Sequence, residues 1–340
     1  MGRRAGRRRF PPIRRSCSRS NSRSTFPPGK ADRGLRRCGR DGAVTAYVRY
    51  LAPDAAKHGD AAKHGDAAVS GDAAVSGDGG ARWGVVEDEV LADGTIEDGI
   101  VEELAAPPFG GEVRTGNRTR LDELHLLAPA TPSKVIAVGL NYRSHLDNSP
   151  IGTRPEPTVP PLFAKLPSSV VGPGASIEIP PDAEVVHAEG EVVVVIGRAA
   201  RHVSPEEAGD RVFGVTAGND VSERVWQRDD LQWLRAKGSD SFGPLGPRIV
   251  TGAAWEDLRL RTRLNGEVVQ DARTSDLIFS IPEIIAYASR YFTLLPGDVI
   301  YTGTPGKTSA IAPGDRVEVE VEGVGVLAND VKVESPKDGT

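Results

Sequence analysis

The chain has little of several things, and each shortage excludes a class. Cysteine occurs only twice in 340 residues, at Cys17 and Cys38. That rules out a disulfide framework and a cysteine-ligated zinc site. Apolar runs stay short, as in residues 192–196. None nears the roughly 18 residues of a membrane-spanning helix, so a helical membrane protein is excluded and no membrane partner is expected. Aromatic residues make up 5% of the chain, while 39 Gly and 26 Pro punctuate it. That balance suits a strand- and turn-rich protein better than a helical bundle.

Basic residues are scarce outside the first 40 positions. Of 42 Lys and Arg, 14 lie in residues 1–40, beside a single acid, Asp32. The other 300 residues carry a balance of −18. Such an acidic body offers no footprint for nucleic acid, which is not expected as a partner. Residues 1–40 are rich in Arg, Ser, Pro and Gly, lack a hydrophobic period, and read as a disordered basic tail. An organellar transit peptide, a polyanion-binding tail and a dispensable extension are the readings open to it. The expected location is cytoplasmic, with organellar import through this segment as the lesser alternative.

Residues 55–78 repeat AAKHGD twice and then AAVSGD twice. Small-residue units of this kind cannot bury a core, and the segment reads as a flexible insertion. Its flanks, 46–51 and 82–86, alternate as strands and predict a hairpin with the repeat at its tip. Residues 41–130 are thus expected to form a small β-rich N-terminal domain, and 131–335 the main domain.

From residue 134 strand signals dominate. Strands are expected at 134–140, 176–179, 191–196, 213–217, 299–302, 316–321 and 326–333. Asn265-Gly266 predicts a tight hairpin between 258–264 and 267–270. Ser204-Pro205-Glu206-Glu207 predicts a capped short helix. Helices are also expected at 221–235 and 281–292. Without a strict βαβ rhythm, the fold class is α+β and strand-rich, with a large mixed or antiparallel sheet.

The sharpest chemical feature is Glu189-Gly190-Glu191, entering a valine run. Residues two apart on a strand share a face, so the carboxylates converge, and Gly190 is expected to leave the other face open. Two carboxylates at the mouth of a buried strand repel and lose hydration, which a divalent cation relieves. Oxygen ligands without cysteine favour Mg²⁺ or Mn²⁺. Asp220, at a strand end, offers a third carboxylate or a helix cap. His145, on a loop leaving the 134–140 strand, suits a general base. Lys237 suits stabilisation of a developing oxyanion or enolate. Gly306-Lys307-Thr308 imitates the end of a phosphate-binding loop, but Tyr301 stands where its first glycine belongs.

In order, the blocks GLNYRSH (139–145), PLFAKLPSSVVGPG (161–174), HAEGEVVVVIGR (187–198), GVTAGNDVSERVWQ (214–227), KGSDSFGPLGP (237–247), NGEVVQDARTSDLIFSIPEIIAYAS (265–289) and LPGDVIYTGTP (295–305) resemble the fumarylacetoacetate hydrolase family. The resemblance implies a mixed β-roll or β-sandwich catalytic domain, assembled as a homodimer. It implies Glu189, Glu191 and Asp220 as ligands for Mg²⁺ or Mn²⁺, and His145 as the residue that activates water, with Lys237 beside it. Gln227, Thr304 and Tyr142 are implied substrate contacts. The implied partner is a small-molecule keto acid.

Two positions depart from the family pattern. Many hydrolytic members carry a glutamate three residues after the histidine; here Asn148 stands there, with Asp147 adjacent. An amide orients an imidazole but does not stabilise imidazolium as a carboxylate does. After the GTP block the family commonly has A-G-V-G, whereas this chain has Gly306-Lys307-Thr308-Ser309, which adds a positive charge near the pocket. The expected activity is metal-dependent hydrolysis of a C–C bond in a small β-diketo acid. An oxaloacetate-type decarboxylase and a keto–enol isomerase are the alternatives on the same metal site. A non-enzymatic relative with a polyanion-binding tail is the rival of another class.

Overall fold

The computed structural model describes residues 44–51, 80–87, 99–148 and 155–334. The basic tail and the hexapeptide repeat expected at 1–40 and 55–78 lie outside these residues. In chain order the strands begin with β1 (Thr45–Leu51), β2 (Ala81–Val86), β3 (Ile100–Leu104), β4 (Arg114–Arg120) and β5 (His125–Leu127). There follow β6 (Val135–Val138), β7 (Leu162–Lys165), β8 (Val170–Val171), β9 (Ile177–Ile179), β10 (Val186–Ala188) and β11 (Gly190–Ile196). Next come β12 (Val212–Asn219), β13 (Ser222–Glu223), β14 (Gly243–Thr251), β15 (Arg259–Leu264) and β16 (Glu267–Arg273). The last are β17 (Val299–Tyr301), β18 (Ser309–Ala310), β19 (Arg316–Val321) and β20 (Gly325–Val333). The α-helices are short: α1 (Arg143–Leu146), α2 (Pro205–Ala208), α3 (Arg224–Asp229), α4 (Leu234–Gly238) and α5 (Ile281–Ser289).

The fold is α+β and strand-rich, as the sequence predicts. The main sheet runs β4-β3-β2-β1-β14-β12-β11-β17-β6-β7. It is mixed: β17 pairs parallel to β6, whereas β11 pairs antiparallel to both β12 and β17. The 46–51 and 82–86 segments form the expected hairpin pair, Ala46 facing Val86, and β1 then joins β14. A five-stranded sheet, β16-β15-β19-β20-β9, lies against the main one, and a small sheet β13-β10-β18 completes the frame.

The valine run sets the layering. Val192, Val194 and Ile196 enter the core shared with Leu260, Val317 and Val319 of the five-stranded sheet. Val193 and Val195 enter the opposite core, with Ala137, Val299 and Tyr301. Alternate residues of β11 therefore fill two cores, as a strand buried on both faces must.

Local signals act as their chemistry dictates. Asn265 and Gly266 both take positive φ, 53° and 86°, and close the β15–β16 hairpin. The Ser204 backbone N–H donates to Glu207 Oε2 at 2.9 Å, the return half of a capping box.

Two expectations need correction. The helix predicted over 221–235 is two short helices, α3 and α4. Ser222 and Glu223 are drawn into β13 by pairing with β10, so helix starts only at Arg224. Glu223 caps it by accepting the Trp226 N–H, and Asp230 ends it in extended conformation. Gly190, in turn, does not leave a face open. A Cβ there would lie 2.0 Å from Thr262 Oγ1 of β15, so the glycine permits the close approach of the second sheet.

Candidate metal centre

Three loops and strand ends meet where β11 begins. Glu189 immediately precedes β11, Glu191 lies within it, and Asp220 follows the antiparallel neighbour β12. The Asp220 N–H donates to the Glu189 carbonyl at 2.8 Å, which locks the two chain segments together. Glu189, Glu191 and Asp220 are buried, and one carboxylate oxygen from each lies within 4.8 Å of the others.

Cations surround these carboxylates. Lys237, in the last turn of α4, donates to Glu189 Oε2 at 2.7 Å and to Asp220 Oδ2 at 2.6 Å. Lys165, at the end of β7, donates to Asp220 Oδ1 at 2.6 Å. The Arg224 Nη2 group donates to Glu189 Oε1 at 2.5 Å and to Thr308 Oγ1 at 3.0 Å. Glu191 faces no ammonium or guanidinium at hydrogen-bond distance among the described residues; its Oε2 accepts the Gly303 backbone N–H at 2.6 Å.

The protonation equilibria follow that asymmetry. Burial pushes the Glu191 carboxyl up, Asp220 and Glu189 push it further, and it ends well above the usual carboxylate range. Burial also acts on Glu189, but Arg224, Lys237 and His145 outweigh it and hold that carboxyl well below the usual range. For Lys237, Asp220 and Glu189 overcome burial and raise the ammonium. For Lys165 burial prevails and lowers it, against the pull of Asp220.

The donor set fits a divalent cation. Three converging carboxylates are hard oxygen ligands, and the under-compensated charge at Glu191 is what such an ion would neutralise. Magnesium and manganese match this chemistry better than metals that seek sulfur.

The remaining sequence-predicted residues gather around this cluster. His145 is buried in α1, and its Nδ1–H donates to the Gly306 carbonyl at 2.7 Å. That bond leaves the Nε2 lone pair free to take a proton. Gly306 N–H returns a bond to Ser144 Oγ at 3.1 Å, so α1 is clamped to the loop after β17. Asn148 does not orient the imidazole: its amide donates to the Ser144 carbonyl at 2.8 Å. Asp147 is exposed at the end of α1, and its carboxylate makes no hydrogen bond to the His145 ring among the described residues.

Thr304 spends its hydroxyl on the Gly190 carbonyl at 3.0 Å and accepts the Gln270 amide at 2.8 Å. Gln227 Oε1 accepts from Arg224 Nη1 at 2.8 Å, leaving its amide protons available. Tyr142 is buried, its hydroxyl has no partner among the described residues, and burial with the nearby Glu191 charge raises its phenol.

Sequence reasoning missed Lys165, Arg224 and the Thr308–His187 contact. Lys165 had a signal: a lysine at the end of an otherwise apolar strand segment. Arg224 lies four residues after Asp220, in a stretch read only as helix.

A buried acidic triad that could hold a metal ion, on a mixed, strand-rich α+β frame, defines the class of scaffold. Residues 134–332 match the family described as Fumarylacetoacetate (FAA) hydrolase C-terminal, and residues 74–129 match Rv2993c-like, N-terminal. The chain belongs to the fumarylacetoacetate hydrolase family. Protein Rv2993c of Mycobacterium tuberculosis is 47% identical over 232 residues, 67% of this chain and 86% of that protein. Human mitochondrial oxaloacetate tautomerase FAHD2A is 40% identical over 222 residues, 62% of this chain and 70% of that protein. The crystal structure of 5-carboxymethyl-2-hydroxymuconate delta-isomerase from Mycobacterium smegmatis superposes with a TM-score of 0.71. It is 39% identical, covering 85% of this chain and 100% of that one. Maleylpyruvate hydrolase from Sphingobium sp. SYK-6, solved with manganese(II) and pyruvate, gives a TM-score of 0.55 at 32% identity. That match covers 64% of this chain and 78% of that one. Isomerases, a tautomerase and hydrolases are thus among its relatives. No helix of the described residues is long and apolar enough to cross a membrane.

Proposed function

We propose that the chain is a Mg²⁺- or Mn²⁺-dependent enzyme that moves a proton beside the keto group of a small α-keto acid, interconverting enol and keto forms. The observation that carries this reading is the setting of His145. Its Nδ1–H rests on a neutral carbonyl, and the position that could supply a carboxylate holds Asn148, turned to Ser144. Such a histidine suits a proton that leaves one substrate atom and returns to another. It suits less well a charged imidazolium held while a C–C bond breaks.

A cation held by Glu189, Glu191 and Asp220 would supply Lewis acidity toward the carboxylate and keto oxygens of the substrate. The chain's own groups do the rest. His145 Nε2 takes the proton from the carbon beside the keto group and delivers it to oxygen, or the reverse. The Lys237 ammonium, kept charged by Glu189 and Asp220, offers a donor to the enolate oxygen. The Gly306 carbonyl keeps His145 in one tautomer throughout.

Hydrolysis of a β-diketo acid is the second reading. It is favoured by the free His145 Nε2, which could equally deprotonate a water. Decarboxylation would use the same electron sink without a nucleophile. The non-enzymatic rival is disfavoured by physics: three buried carboxylates cost stability, which a protein acting only through residues 1–40 has no reason to bear.

The test is a spectrophotometric panel on the Mg²⁺-loaded full chain, with enol-oxaloacetate, acetylpyruvate and keto-oxaloacetate as substrates. Loss of enol absorbance without release of pyruvate supports tautomerisation, and it should vanish in Glu191→Ala and His145→Ala. Cleavage of acetylpyruvate would replace this reading with hydrolysis. Release of pyruvate from oxaloacetate would replace it with decarboxylation. The homodimer implied by the resemblance is checked on the same sample by light scattering. Cytoplasmic and organellar locations are separated by imaging the full chain against one lacking residues 1–40.

A further inference from the structure

The loop after β17 is tied to the metal centre at almost every residue. Gly303 N–H holds Glu191, Thr304 holds the Gly190 carbonyl, and the Pro305 carbonyl accepts from Gln270 at 2.7 Å. Gly306 holds both Ser144 and His145. Thr308 is buried between Arg224, at 3.0 Å, and His187 Nδ1, at 2.7 Å. Lys307 is the exception. It stands between two tethered residues, its side chain is exposed, and it forms no ion pair among the described residues.

The pairing of charges makes that exception informative. Lys165, Lys237 and Arg224 each face a carboxylate of the buried triad. With every group ionised, three carboxylates and three cations balance overall, although Glu191 has no cation of its own. A divalent cation added to this set leaves two positive charges in a buried place, and a monoanionic substrate would offset only one of them. Donors also remain unused. Thr308 Oγ1 accepts from Arg224 and meets His187 Nδ1 at 2.7 Å, a contact that leaves Nε2 as the ring nitrogen not engaged by Thr308. Arg224 Nε is buried with no acceptor among the described residues.

We propose that Lys307 and His187, with its ring proton on Nε2 and Arg224 behind it, form an anion subsite that receives the second carboxylate of a dicarboxylic keto acid. The inference rests on the keto-acid reading above and narrows it to dianions. Lys307 supplies a mobile charge at the rim, and the Arg224–Thr308–His187 chain supplies fixed donors behind it. The ordinary expectation for an exposed lysine is a solvated side chain. This one sits on a backbone pinned at both neighbours and lacks the carboxylate partner that most exposed arginines here possess, such as Arg82, Arg114 and Arg259.

The experiment is calorimetric binding to the Mg²⁺-loaded full chain, with two stable hydroxy acids as probes. Malate and 2-hydroxybutanoate share the metal-chelating head and differ only in a carboxylate against a methyl group. Malate should bind at least tenfold tighter. Lys307→Gln should reduce that preference about fivefold, the size of one exposed charge contact. Lys307→Arg should keep it, and affinity for 2-hydroxybutanoate should be the same in all three proteins. Equal binding of the two acids to the wild type overturns the subsite, as does Lys307→Gln weakening both acids alike. Binding of neither acid, while Mg²⁺ itself binds, overturns the keto-acid reading on which the subsite rests.

Discussion

Lys165 and Asp220 form an ion pair that solvent does not reach: Nζ lies 2.6 Å from Oδ1, and the side chains are 0% and 2% exposed. Lys237 holds the other oxygen of the same carboxylate, also at 2.6 Å. Asp220 is therefore clamped on both oxygens before any ion arrives, and its geometry does not depend on the metal.

Removing one clamp tests this. Breaking a buried pair costs roughly 3–5 kcal/mol. Lys165→Met leaves Lys237 in place, so a loss of about 3 kcal/mol is expected in chelator, or about 6–12 °C in Tm. Added Mg²⁺ should recover more of the Tm in the variant than it adds to the wild type, because it replaces the missing charge. Thermal melts in chelator and in Mg²⁺ provide the comparison. An equal Mg²⁺ shift in both proteins would show that Lys165 and the ion do not share Asp220.

Glu191 is the opposite case, a carboxylate with too little compensation. Glu191→Gln should stabilise the metal-free protein at neutral pH by on the order of 1 kcal/mol while abolishing tight Mg²⁺ binding. The sign with pH follows from the raised carboxyl. Below the unfolded value near 4.5 the wild-type group is protonated in both states, and glutamine gains nothing. As pH rises above 4.5 and through the folded value, the wild type must either hold a proton at growing cost or bury a charge. The advantage of the variant should therefore grow from acid to neutral pH. Denaturant titrations of the metal-free proteins at pH 4, 6 and 8 measure it; an advantage that shrinks with pH would contradict the assigned strain.

These two residues also mark what the sequence could and could not disclose. Glu189 and Glu191 were readable because strand parity is local: two residues apart on extended chain at the start of β11 means one face. The valine run that follows was readable for the same reason. The partner of Lys165 was not, because it lies 55 positions away and only the closure of the sheet brings the two together. Arg224 was not readable either. It pairs with Glu189, 35 positions back, and β13 delays the helix expected from 221, so nothing local announced the contact. The emptiness expected beside Gly190 failed because a glycine looks the same whether it opens space or admits a neighbour.

That neighbour gives a further prediction. A methyl group at position 190 would overlap Thr262 Oγ1, with the next contacts at 3.3 Å. Gly190→Ala should cost about 1–3 kcal/mol, the usual penalty of overpacking. Thr262→Ala removes the colliding oxygen, which has no hydrogen-bond partner among the described residues. The double variant should therefore be more stable than Gly190→Ala alone. A double-mutant cycle of chemical denaturation reads the coupling. Additive losses would place the strain elsewhere in β11.

The last prediction concerns the choice between proton transfer and hydrolysis. Position 148 lies three residues beyond His145, a spacing that puts both side chains on one face of a helical turn. Asn148 now donates to the Ser144 carbonyl, a bond that a carboxylate cannot make. Asn148→Glu frees the side chain from Ser144 and places a negative charge within reach of the imidazole. A carboxylate there stabilises the imidazolium that forms when His145 deprotonates water. Hydrolysis of acetylpyruvate by the Mg²⁺-loaded variant should rise at least tenfold over the wild type. Enol–keto conversion of oxaloacetate should change little, because that reaction returns the proton to substrate. Its pH profile should shift upward in the variant, since a neighbouring carboxylate favours the charged imidazole. Steady-state rates on both substrates across pH separate the two effects. If hydrolysis stays at the wild-type level while the pH profile does move, the carboxylate has reached the imidazole without creating a hydrolase. The selection between the two reactions then lies in how water is admitted rather than in the partner of His145.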